Sequence, residues 1–239
     1  MYEVSQLERP LNPWTRFARK ALPMVLVPLA AGFTFFALHP PELPVAAPAP
    51  VEIEEYEGEA LGSVSDFPEN SILGVQTIDA ATYRLVIDGL VERTVSLALD
   101  DLAAMDRAER LVTIHCVEGW SVRALWEGIP VAVLVDLAEP HAEATTVIFH
   151  AVDGYTTSLP LARIIDRNLI LADRINGIPL PPANGYPFQL VAEDRWGYKW
   201  IRWVTRVELS DDEDYRGFWE QRGYSNGGEL DGPMREGDN

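Results

Sequence analysis

Cysteine occurs once in 239 residues, at Cys116, and lysine only twice, at Lys20 and Lys199. One cysteine excludes an intrachain disulfide framework and any zinc or iron–sulfur centre built from several thiolates. With 19 basic residues against 37 acidic ones, the formal charge is −18. Such a chain has no basic surface able to displace phosphate counterions, so nucleic acid is not an expected partner. No Gly-rich phosphate loop follows an apolar strand. The four histidines, His39, His115, His141 and His150, lack metal-ligand spacing. His115 adjoins Cys116, but neighbours on a strand point to opposite faces, which argues against a Cys–His nucleophile pair. Carboxylates are too common here for a pair of them to signal glycosidase chemistry. There is no internal repeat.

What is present is a globular composition, 47% hydrophobic and 23% charged, with length for one sizeable domain plus appendages. Residues 1–20 carry Arg9, Arg16, Arg19 and Lys20 against Glu3 and Glu8, a net positive tip. From Ala21 to Pro41 no Asp, Glu, Lys or Arg occurs. At about 1.5 Å per residue that run reaches roughly 30 Å, a bilayer core. It is expected to be an uncleaved transmembrane helix, with the basic tip inside and the rest of the chain on the periplasmic or extracellular side. A cleaved signal peptide, which would leave a soluble secreted binding module, is the competing reading. Residues 42–62 are expected to be a Pro/Ala-rich and acidic linker, 63–225 the domain, and 226–239 a polar tail.

Within the domain, Tyr83 to Leu90 reads as an alternating strand ending in an Asp-Gly turn, with Thr94 to Leu97 returning beside it. Asp100 is placed as the N-cap of a short helix. Leu111 to His115 is a half-buried strand that delivers Cys116 to a Glu-Gly turn. Pro130 starts a helix over Val131 to Ala138, and Pro140 stops it. Shorter strands are expected at 145–149, 155–158, 169–171, 188–191 and 201–209, with a helix near 161–165. Strands outnumber helices without a βαβ period, so the fold class is α+β with a mixed sheet. A soft thiolate at a strand end suits a single ligand to a heavy metal that a cofactor already carries, although a lone strand cysteine also serves as a small core hydrophobe.

The segment Val112-Thr113-Ile114-His115-Cys116-Val117-Glu118-Gly119-Trp120-Ser121 resembles the cysteine loop of the sulfite oxidase-type molybdopterin-binding domain. The likeness is greatest to its small prokaryotic members, among them the methionine sulfoxide reductase catalytic subunit. Further landmarks follow in the family's order: Trp126 to Pro130, Asp153-Gly154-Tyr155, Leu180 to Pro187, Trp196 to Lys199, and Trp203 to Glu208. The resemblance covers about residues 75–225. It implies a molybdenum–molybdopterin cofactor with Cys116 as the metal's thiolate ligand. It places Asn184, Gly185, Lys199 and Arg202 near the pterin phosphate and Asp153 and Tyr155 on the substrate side; where this sequence departs from the family's basic positions, Arg123, close after the cysteine loop, is the candidate substitute cation. Gln189 stands where many relatives have arginine, and Trp200 replaces a small polar residue.

The activity so implied is that of a membrane-anchored molybdoenzyme performing oxygen-atom transfer on a small sulfur-type substrate. Its expected partners are the lipid bilayer and a haem-bearing cytochrome or integral-membrane electron-transfer protein. The alternative is a catalytically weak or inactive accessory subunit of a membrane respiratory or cytochrome complex, motivated by Gln189 and Trp200.

Overall fold

The computed structural model describes residues 49–237. A small hairpin, β1 (Glu55–Tyr56) and β2 (Glu59–Ala60), precedes the first long-range strands, β3 (Leu85–Gly89) and β4 (Val95–Leu97). Helix α1 (Leu99–Ala103) leads into β5 (Ala108–His115) and β6 (Ser121–Pro130), then α2 (Val131–Ala138). A second hairpin, β7 (Thr146–Ala151) and β8 (Thr156–Pro160), runs into α3 (Leu161–Asp166). The remaining strands are β9 (Ile170–Ile175), β10 (Ile178–Pro179), β11 (Gln189–Val191) and β12 (Val204–Ser210).

Two five-stranded sheets result. One has the order β10-β9-β6-β5 with β11 also on β9, the other β4-β3-β12-β7-β8. Every pairing is antiparallel except β12 with β3, so the second sheet is mixed. The alternation of β3 explains its place, since Leu85 and Ile87 are fully buried while Val86 and Asp88 face outward. Trp126, Trp203, Phe149 and Phe188 are the bulkiest fully buried apolar side chains. Helix α2 forms because Pro130 sets the entry and Glu139, at φ 56°, closes the end before Pro140.

The α+β mixed-sheet expectation agrees with this architecture; its transmembrane helix is corrected. The longest described helix, α2, has 8 residues. At about 1.5 Å per residue it rises roughly 12 Å, far short of a bilayer core. Among the described residues no helix is long and apolar enough to cross a membrane. The 21–41 run lies outside the described residues. The bilayer partner, the membrane electron-transfer partner and the single-pass location rested on that run and are withdrawn. A smaller correction concerns α1. Ala98, not Asp100, sits at its N-cap, and the Asp101 carboxylate accepts the Ala98 amide at 2.9 Å.

Strand β6 was not expected. Its burial alternates only at its start and is nearly continuous from Ala124 to Ile129. In the fold Gly128 sits at a register shift against β9, where a Cβ would lie 2.0 Å from the Leu171 carbonyl. Only glycine permits that approach.

A buried ion pair ties the last part of the domain to the second sheet. Lys199 Nζ donates to Glu220 Oε1 at 2.6 Å and to the Ser158 carbonyl at 3.1 Å, with both charged side chains fully buried. Thr157 adds a 2.6 Å bond to the same Glu220 oxygen. Removing one partner strands a charge in the interior. Lys199→Met is therefore expected to cost about 3–5 kcal/mol in urea denaturation, with Lys199→Met/Glu220→Leu recovering most of the loss. Equal destabilisation of the single and double variants would contradict the pairing.

Candidate functional site

Cys116 directly follows β5, where Gly119, at φ 91°, allows the chain to turn. The turn is closed by Cys116 N donating to Trp120 O (2.9 Å) and Gly119 N to Cys116 O (3.0 Å). The second support is the Trp196–Lys199 turn. His115 bridges Trp196, and a Cβ on Gly197 would come within 3.2 Å of the His115 carbonyl. The thiol is thus fixed by two backbone segments at a strand end and opens on a cavity of about 250 Å³.

Three further elements face the same cavity. The β7–β8 turn contributes Asp153 and Tyr155, and Asp153 Oδ1 accepts the Tyr155 amide at 3.0 Å. Tyr155 Oη donates to the Tyr198 carbonyl at 2.5 Å. The Pro-rich loop contributes Asn184, and β11 contributes Gln189. The loop is pinned from behind, since Arg202 Nη1 donates to Ala183 O (2.6 Å) and Trp203 Nε1 to Pro182 O (2.8 Å). Gly185, at φ 101°, ends the turn with its Cα against Arg202; a Cβ there would lie 3.0 Å from the arginine side chain. The segment after Ser63 forms the last wall. Phe67 packs edge-on to Trp126 at 5.8 Å, which carries Asn70 over the thiol. Asn70 Nδ2 donates toward Cys116 Sγ (3.7 Å) and to Glu118 Oε2 (3.2 Å).

The structure therefore gathers Cys116, Asp153, Tyr155, Asn184 and Arg202 around one cavity. Gly185 stands behind its wall against Arg202. Lys199 does not line it, because its ammonium is taken up by Glu220. Arg123 lies on β6 outside the lining, 3.7 Å from Glu59 and 43% exposed. Sequence reasoning passed over Asn70, which is 46 positions from the thiol and has no local signal. Glu118 was within reach, two residues after the cysteine and opening on the same cavity. Gln189 was noted only as a missing arginine.

Electrostatically the pocket is poor in cations. Burial pushes the Cys116 thiol above its ordinary pKa and the Glu118 charge adds to this, against lowering hydrogen bonds from backbone amides and Asn70. Burial lowers the Arg202 pKa, opposed by Glu69 and Asp153. Tyr155 is raised well above the usual phenol range, first by burial and then by Glu220.

Among the described residues no group of three or more His, Cys, Asp or Glu could hold a metal ion. The expectation of a membrane-anchored molybdenum oxygen-atom transferase is corrected on this ground and because no helix among the described residues is long and apolar enough to cross a membrane. The described residues present one thiol and no protein-built cluster of metal ligands.

The polar lining still fits a cofactor that brings its own ligands. Asn184 and Gln189 are 6% and 4% exposed and line the cavity. Among the described residues their side-chain amides make no hydrogen bond. Ser71 Oγ, in the same lining, is buried without a partner. The space open to these carboxamides is the cavity they line. Donors and acceptors facing inward, with one guanidinium and one thiol, suit a polar heterocycle carrying an anionic group and a soft metal.

The family model described as oxidoreductase molybdopterin binding domain matches residues 72–219. The chain belongs to that family. It is 35% identical over 147 residues to the uncharacterized oxidoreductase YuiH of Bacillus subtilis, covering 61% of this chain and 74% of that protein. It is 33% identical over 156 residues to the protein-methionine-sulfoxide reductase catalytic subunit MsrP of Gluconobacter oxydans, covering 58% of this chain but only 50% of the relative. Among solved structures, the sulfane dehydrogenase SoxCD of Paracoccus pantotrophus superposes with a TM-score of 0.60 at 21% identity. That superposition spans 79% of this chain and 57% of the other and shows a shared fold. The sulfite oxidase-like domain and its kinship with the small prokaryotic members are thereby established.

The thiol's environment makes a pH prediction. A thiol whose pKa is raised stays protonated, so alkylation of Cys116 by iodoacetamide in cofactor-free protein is expected to be slow near neutrality and to accelerate with rising pH. Glu118→Gln is expected to move the profile toward lower pH by removing a like charge. A wild-type profile centred on the free-cysteine value, about 8.5, would contradict this.

Proposed function

We propose that the domain is a molybdopterin-dependent oxidoreductase in which Cys116 supplies the protein's one thiolate to the metal. The observation that carries this reading is the sharing of a single cavity by the lone thiol and two carboxamides, Asn184 and Gln189, that open on it without a partner among the described residues. The cofactor, when bound, supplies two-electron redox chemistry at its metal. The chain's own residues hold and orient. Asn184 and Gln189 offer hydrogen bonds to the heterocycle, and Arg202 offers a buried positive charge to its anionic end. Asn70 donates toward the sulfur and fixes its direction. Asp153, with Oδ1 tied to the Tyr155 amide, keeps its second oxygen for a ligand donor. The aromatic walls, Trp120, Trp200 and Trp203 among them, keep bulk water from the thiol.

Loading the thiol requires its proton to leave, which the raised pKa opposes and a soft cation repays. Cofactor retention is therefore expected to fall as pH drops.

A second reading is a domain that keeps the fold and pocket but turns substrate over slowly. It is favoured by Gln189 in place of a cation, by the commitment of Lys199 to Glu220, and by the missing metal-ligand cluster among the described residues. One experiment separates the readings. Protein purified from cells supplied with molybdate is expected to carry molybdenum and pterin in near-equal amounts. Cys116→Ser is expected to lower metal content by about ten-fold or more. Loaded wild-type protein that reduces or oxidises no small-molecule redox donor would support the slow domain, and wild-type protein without either component would overturn the proposal.

A further inference from the structure

Three formally charged side chains line the cavity, Glu118, Asp153 and Arg202. Arg202 is the only cation among them and is already engaged, donating to the Ala183 carbonyl and facing Glu69 at 3.7 Å. Asp153 is 8% exposed, and among the described residues its Oδ2 accepts no hydrogen bond. Glu118 stands exposed at the mouth, with Oε2 held by Asn70 Nδ2 at 3.2 Å and Trp120 Nε1 at 3.3 Å. Its other oxygen has no partner among the described residues. The cavity thus carries two carboxylates, Glu118 and Asp153, against one guanidinium, whose charge is already countered by Glu69 and Asp153. If Arg202 serves the anionic end of a cofactor, no lining cation remains for a small oxyanion. The chain's overall charge of −18 adds a long-range field of the same sign.

The mouth is also aromatic. Trp120, Trp219 and Tyr224 line the cavity, Trp219 among the exposed residues, and Trp219 packs on Tyr224 with ring centroids 5.5 Å apart. Faces of this kind attract a cation through the ring quadrupole. The protein already uses one in that way, since the Arg235 guanidinium sits 4.8 Å from the Tyr224 ring centre without lining the cavity. Arg222 is turned onto Phe218 at 3.6 Å and does not line the cavity either. Carboxylates beside aromatic faces recognise a diffuse positive charge on an apolar body and repel an oxyanion.

We propose that this mouth binds an organic cation, an ammonium group on a small apolar body, and that the molecule handled in the pocket belongs to that class rather than to the small oxyanions. The substrate part of this inference rests on the cavity being the reaction site.

The test is a tryptophan-fluorescence titration of the full chain with choline, with its uncharged carbon isostere 3,3-dimethyl-1-butanol, and with sulfite. Choline is expected to bind about ten-fold tighter than the isostere, with Glu118→Gln removing most of that advantage and sulfite giving no saturable signal. Equal affinity for choline and the isostere, tighter binding of sulfite, or full choline affinity in Glu118→Gln would each overturn the inference. Molybdenum and pterin measured on the same sample report on the cofactor separately. Loaded protein without a choline preference defeats this inference alone, and unloaded protein that prefers choline defeats only the cofactor reading.

Discussion

The architecture of the site depends on holding one sulfur at a strand end while the side chains around it are kept from satisfying one another. Cys116 is fixed by the turn to Trp120 on one side and by the close approach of Gly197 on the other. Asn184 and Gln189 are buried yet aim their amides at the same space. Neither amide has a protein partner among the described residues, and both open on the cavity. Polar groups left facing an internal cavity can bond a ligand brought into it, and the pocket is best understood as half of an interaction whose other half is brought in.

Around this centre the two sheets divide the work. The β5–β6 hairpin of one sheet presents the thiol, and the β7–β8 hairpin of the other presents Asp153 and Tyr155. The loop from Pro181 to Gly185 closes the space because Arg202 and Trp203, just before β12, hold its carbonyls. Trp203 takes a positive φ of 57° to do so, a backbone strain that a bulky residue accepts only when its surroundings fix it. The Lys199–Glu220 pair then ties down the segment that carries Trp219 and Tyr224 to the pocket. Charge that the sequence offers for binding is here used for assembly.

Much of the fold could be read in the chain because its punctuation is explicit. Pro130 and Pro140 bracket α2, Asp88-Gly89 ends β3, and the alternation through Ile114 marks the strand before the cysteine. β6 escaped because a nearly continuous apolar run containing Gly128 and ending in Pro130 carries no period of two, and its bulge is visible only against β9. The site was legible where residues are near the thiol or sit in a turn, as with Cys116 and Asp153. Asn70 and the partner of Lys199 were not, because both contacts join distant parts of the chain through packing that no local pattern encodes. The membrane expectation came from hydropathy of a run outside the described residues, and nothing among the described residues supports it.

The most direct test of the central claim is X-ray absorption at the molybdenum edge on the purified full chain, compared with Cys116→Ser loaded under the same conditions. The expected result is one fewer sulfur neighbour in the variant than in the wild type. A metal environment that does not change with the substitution would contradict the assignment of this thiol to the metal.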